Sequence, residues 1–183
     1  MSKKQRNGLL GILAISATLV SGQQKALIPQ QNSNIELTVH LLSGIAQGEM
    51  TDDVPQDLAG TVKQLRSIFS YKGYKLAESF LLRGRLGAGA RAAGILPGDG
   101  GLKYEFRYAM VTASTPPLLR ISGLLVVLTK APRRVGAQTI IDMVASIQTD
   151  LDIREGQKTV VGKSSVSSTG DALIIIIVPK IVD

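Results

Sequence analysis

The chain has 183 residues, 44% of them hydrophobic, which is long enough to bury one sizeable core and too apolar for disorder. It holds no Cys, one His and no Trp. Disulfide stapling is excluded, zinc and His-dependent nucleophilic sites lose their usual parts, and aromatics at 4% disfavour a stacking platform for single-stranded nucleic acid. The net charge of +7 is spread along the sequence rather than gathered in a patch, so it reads as solvated surface and not as a nucleic-acid footprint.

The N-terminus carries the marks of an export signal. MSKKQR is basic, Gly8 to Val20 is a short apolar run, and Val20-Ser21-Gly22 places small residues before Gln23. Cleavage there removes residues 1–22 and lowers the net charge from +7 to +4, since Lys3, Lys4 and Arg6 leave with it. The alternative is an uncleaved anchor. The apolar run is short for that role, because spanning a bilayer takes about 20 residues. QQKALIPQQNSN (23–34) reads as a flexible lead-in, and residues 35–183 as a single domain.

IELTVHLLSG (35–44) alternates apolar and polar residues, as a half-buried strand does. A helix is expected from Pro55 to Tyr71, with Leu58, Val62, Leu65 and Phe69 on one face and Gly73 as a left-handed C-cap. YKLAESFLLRGR (74–85) and ARAAGIL (90–96) read as strands around a glycine-rich hairpin loop. LPGDGG (96–101) and TPP (115–117) read as turns. LKYEFRYAM (102–110) has a period of two, and LLRISGLLVVLTK (118–130) has two apolar faces, as a central strand has. AQTIIDMVAS (137–146) is expected to be a short helix or a loop. IQTDLDIRE (147–155) and KTVVG (158–162) form a hairpin about Glu155-Gly156-Gln157. ALIIIIVPKIVD (172–183) opens with seven apolar residues and suits a strand buried on both faces. The fold expected is mainly β: a β-sandwich or curled antiparallel sheet of about seven strands packed on one amphipathic helix.

Two glycine motifs suggest nucleotides and fail on context. Gly156 and Gly162 enclose five residues before Lys163-Ser164 where a phosphate loop has four, and strand formers and SSVSSTG stand where its helix should begin. Gly87-x-Gly89-x-x-Ala92 follows a strand, as the dinucleotide fingerprint requires, but Gly94 and Pro97 cut off the helix it needs. His40 falls on the polar side of its strand and reads as a surface residue. The pair Asp52-Asp53 lies in a loop before the helix, where negative charge suits the dipole, and the pair Asp150 and Asp152 lies on an outer strand face. Both pairs read as solvated surface. A Ser164–Lys163 dyad is disfavoured, since adjacent strand residues point to opposite faces. No catalytic residue, metal site or cofactor is expected, and the chain reads as a non-enzyme.

DIREGQKTVVG followed by ALIIIIVPKIV resembles the end of the secretin homology domain, over about 36 residues. Secretins are the ring-forming outer-membrane channels of type II and type III secretion and of type IV pili. The shared pattern falls here on Glu155-Gly156-Gln157, on Val160-Val161-Gly162 and on Pro179-Lys180 with their neighbours. The chain departs from it at Lys163, which stands in place of a second glycine, and in the nine residues, 163–171, that replace a longer excursion. What the resemblance implies is a structural and assembly role for those eight residues. The expected function is an exported structural or interaction module of the cell envelope, periplasmic or outer-membrane-associated, serving a secretion or pilus apparatus. Its expected partners are envelope proteins or further copies of itself, with no nucleic acid and no nucleotide. The alternatives are a periplasmic ligand-binding carrier and, with less in its favour, a periplasmic hydrolase.

Overall fold

The computed structural model describes residues 33–48, 52–97, 101–114 and 118–182. The expected export signal, most of the expected lead-in, the TPP segment and the middle of LPGDGG lie outside the described residues.

Two sheets, antiparallel but for one short parallel pair between Asp52–Asp53 and Tyr74–Lys75, pack face to face. The first contains β1 (Asn34–Ile45), β2 (Asp52–Asp53), β3 (Gly73–Arg85), β11 (Thr159–Ser165) and β12 (Ala172–Val182), in the order β11-β12-β1-β3-β2. The second contains β4 (Ala90–Ile95), β5 (Lys103–Tyr108), β7 (Leu118–Thr129) and β10 (Met143–Arg154), in the order β10-β7-β5-β4. The short β6 (Met110–Ser114) continues β5 along β7. Between β7 and β10, β8 (Arg133–Val135) and β9 (Gln138–Ile140) form a separate two-stranded hairpin. The strand-rich fold is the one expected. The extra strands over the expected seven are mostly short pieces whose two to five residues carry too little alternation to read.

The sheets meet through residues two apart along each strand, except on β7, where the register shift at Gly123 puts Ile121 and Leu124 on one face. Ile35, Leu37, Val39 and Leu41 of β1 and Leu173, Ile175 and Ile177 of β12 face Phe106, Ile121, Leu124 and Val126 of the second sheet. Each such side chain, fully buried, contributes about 1.5–3 kcal/mol. The opposite face of the first sheet buries Leu42, Ile174 and Ile176 under a helix. β12 therefore lies between β11 and β1 with apolar neighbours on both faces, which explains its unbroken apolar run.

That helix is shorter than expected. A 3-10 turn at Gln56–Leu58 leads into α1 (Ala59–Ile68), and Leu58, Val62 and Leu65 are the residues it buries. Phe69 ends it by turning extended (φ −121°, ψ 131°). Gly73 is the first residue of β3 and not a left-handed cap. Aromatic packing takes precedence over continued helix here: Phe69, Tyr71 and Tyr74 cluster at the helix end with ring centroids about 6 Å apart. AQTIIDMVAS also departs from expectation, forming β9 and the start of β10, because its pairing partners on β8 and β7 are supplied by the same long hairpin.

Candidate functional site

Glu155-Gly156-Gln157 turns the chain from the edge of one sheet to the edge of the other. Gly156 holds φ +74°, a left-handed conformation that strains other residues. Its N–H donates to the Pro179 carbonyl at 2.8 Å, and the Ile181 N–H donates to Glu155 Oε1 at 2.9 Å. The turn therefore grips the last stretch of β12, beyond the point where β11 stops pairing with it. Residues 179 and 181 present their backbone groups to the same side of the strand, so the N–H that Pro179 lacks would have faced the turn and not β1. Pro179 is buried opposite Leu37, and Lys180 beside it is exposed. Gln157 closes the turn, its N–H donating to the Arg154 carbonyl at 3.1 Å.

The remaining resemblance residues lie apart from this clasp, along β11. Val160 is on the outer face, Val161 sits at a register shift and packs into the main core, and Gly162 lies under Ile147 of β10. Lys163, the lysine of the near-phosphate-loop, places its Nζ 5.5 Å and 5.7 Å from the ring centroids of Phe69 and Tyr71. It is in a strand and over two aromatic faces, so its charge is satisfied by cation–π contact.

Both edges of the first sheet are open. β2 pairs with β3 at Tyr74 and Lys75, and among the described residues nothing ladders onto the outer side of Leu76–Arg85. On the other side β11 has a single ladder partner, β12. Leu81 on β3 is 55% exposed and Val160 on β11 is 37% exposed, both on the outer face. The Leu81-Leu82 doublet carried a readable signal of this: adjacent strand residues point oppositely, and only Leu82 faces the core. Where β3 turns into β4, Gly84 admits the hydroxyl end of Tyr108, which a Cβ there would strike.

Three sequence readings are corrected: the strands either side of Glu155-Gly156-Gln157 are no hairpin, because β10 pairs with β7 in one sheet and β11 with β12 in the other. His40 is buried, not superficial. Its Nδ1 and Ser79 Oγ are 3.0 Å apart, and burial pushes its imidazole below the usual range, with Asp57 opposing the shift and Lys158 adding to it. The sequence placed His40 on the correct side of the strand but could not show that this side is covered too. Asp52 is exposed, as expected of the pair Asp52-Asp53, but stands in the short β2 and not in a loop. It pairs with Arg66 of α1 at 2.6 Å and accepts the Tyr74 N–H at 2.9 Å, and the Arg66 hydrogen bond holds its carboxyl below the usual range. Asp150 accepts the N–H of Gly123, at the register shift between β7 and β10, at 2.7 Å.

A cleft of about 580 Å³ opens at the end of the sandwich, bounded by Ser43, Ile45, Lys75, Leu102, Val166 and Asp171. Among the described residues no group of three or more His, Asp or Glu side chains is placed to share a metal ion, and no helix is long and apolar enough to cross a membrane.

No family model and no curated protein matches the chain. A solved structure described as the InvG secretin domain β-barrel from the Salmonella SPI-1 injectisome NC-base is similar over 83% of this chain, at 10% identity and a TM-score of 0.40. The chain spans 64% of the length of that structure's chain.

Proposed function

We propose that the protein is an exported structural module of the cell envelope that assembles through the edges of its first sheet, as a component or accessory of a secretion or pilus apparatus. The observation that supports this is the pair of open edges. β1 and β11 run one way and β12 and β3 the other, since every long pair in the sheet is antiparallel. β11 of one copy laid against β3 of the next continues the antiparallel pattern, with β12 buried in the middle of each repeat. The free backbone groups along Leu76–Arg85 and Thr159–Ser165 are a template for such pairing. The contact is head-to-tail, so it closes into a ring or runs on as a filament. The export signal and the secretin-like turn and terminal strand support the envelope setting. The chain does no chemistry in this reading. Light scattering on exported material, with its intact mass, tests it: a multimer starting near Gln23 is expected, and a monomer at every concentration, or a chain never exported, overturns it.

The cleft favours a second reading, a carrier for a small amphipathic ligand with Lys75 and Asp171 among its lining residues. A Lys75→Glu variant that loses a co-purifying ligand while staying monomeric would establish it in place of the first.

A further inference from the structure

The hairpin between β7 and β10 is the feature that neither reading uses. β7 and β10 pair along their length, and the chain between them continues the same hairpin outward, with the Lys130 N–H donating to the Asp142 carbonyl at 2.9 Å. Every residue from Lys130 to Thr139 is exposed. Three large apolar side chains sit on or beside this arm in the open: Val135 (51% exposed), Ile141 (60%) and Met143 (68%). Beside them are Lys130, Arg133 and Arg134. Arg133 meets Asp142 at 3.2 Å, while Lys130 and Arg134 have no acidic partner among the described residues. The same mixture continues onto the outer face of the second sheet, where Met143 pairs with Thr129, Thr129 with Lys103, and Lys103 with the exposed Ile95.

Two isolated strands of three residues bury too little to hold three large apolar groups in water without return. Aliphatic groups alternating with cations match a bilayer surface, where the first reach the acyl boundary and the second meet headgroup phosphates. A nucleic acid would use the cations and gain nothing from the aliphatic groups. A second copy seated on the hairpin would shift an indole placed there with no vesicles present. We infer that the β8–β9 hairpin docks end-on onto an anionic lipid surface, with Val135 on one face and Ile141 and Met143 on the other reaching the headgroup boundary and Lys130 and Arg134 meeting the phosphates.

The chain has no Trp, so an indole placed on the hairpin reports from that point alone. Val135→Trp in the full chain is mixed with vesicles of phosphatidylcholine, with and without a minority of phosphatidylglycerol. Ile68→Trp, exposed at the end of α1, serves as the control site. Lipid contact through another part of the chain leaves both indoles in water. The expected result is a blue shift and quenching by brominated lipid at position 135 with the anionic vesicles, and neither at position 68. Adding Lys130→Ala and Arg134→Ala raises the lipid concentration at half-effect roughly 30-fold, at about 1 kcal/mol per cation. No response at position 135, an equal response at 68, or no effect of removing the two cations overturns the inference. A response to duplex DNA and none to vesicles assigns the cations to nucleic acid and also overturns it.

Discussion

Arg66 on α1 and Asp52 on β2 meet at 2.6 Å, and the same Asp52 oxygen accepts the Tyr74 N–H from β3. One carboxylate thereby ties the helix to the short β2 edge and to the strand beneath. Because its folded pKa is depressed, its contribution is complete above the ordinary carboxylate range and is lost as pH falls through the folded value. Asp52→Asn is expected to cost about 1 kcal/mol at neutral pH, a figure held low by the partial exposure of the pair. The acid side of the pH–stability curve should flatten in this variant without vanishing. Asp171, depressed by the Ala46 N–H and by Thr169 and Ser167, titrates in the same acid range. An unchanged urea midpoint for Asp52→Asn would remove the tie from the account.

His40 titrates higher and in the same sense. Burial lowers its folded pKa, so the unfolded chain binds the proton first, and stability falls as pH drops below the ordinary histidine value of about 6.5. His40→Gln keeps a partner for Ser79 and cannot take up a proton. Thermal melts between neutral and mildly acidic pH should show a midpoint that falls in the parent and stays level in the variant. Equal slopes would mean that the imidazole is freely solvated.

Ile175 and Ile176 point to different cores, the first between the sheets and the second toward the helix. Both are buried, at 1% and 0% exposure. Lysine at either position leaves a charge without a partner and is expected to cost several kcal/mol. Circular dichroism melts of Ile175→Lys and Ile176→Lys check this. A parent-like midpoint for one of them would show that its face of β12 is not closed.

The strands legible in the sequence were those with room for alternation, such as Ile35 to Leu41 and Tyr104 to Tyr108. The run Ala172–Val178 was readable as central because nothing polar interrupts it. What escaped was set by distant partners. Asp52 becomes a tie only when Arg66, fourteen residues on, and Tyr74 arrive beside it, and His40 is buried only because both faces of β1 are covered. The helix end was misplaced for a similar reason: Phe69, Tyr71 and Tyr74 pack on one another and on Lys163 of β11, which no local pattern foretells. Of the site, the turn at Glu155-Gly156-Gln157 and the strand through Pro179 were visible as motifs. That the turn clasps the strand was not, because hydrogen bonds between segments about 25 residues apart leave no periodic trace.

The clasp itself makes a graded series. Gly156→Ala forces a side chain into φ +74° and is expected to cost about 1–2 kcal/mol. Glu155→Ala removes the acceptor for the Ile181 N–H and should cost about 1 kcal/mol, with Glu155→Gln recovering most of it. Hydrogen exchange at Ile181 reads the effect directly: protection should fall in Glu155→Ala and hold in Glu155→Gln. Equal protection in both would mean that the glutamate is a bystander.

Assembly through the two sheet edges is the central claim, and the absence of native cysteines permits a direct measurement of it. Leu81 and Val160 lie on the same outer face at opposite edges. The double variant Leu81→Cys with Val160→Cys, treated with a short bis-maleimide, links each copy to two neighbours if β11 of one lies against β3 of the next. A covalent ladder of trimers and longer species is the expected result, with each single variant yielding little beyond monomer. Adding Lys at position 79 by Ser79→Lys, which places charge on the edge, should collapse the ladder. Monomer alone in the double variant, or a dimer that Leu81→Cys forms by itself and the second cysteine does not extend, would contradict head-to-tail assembly.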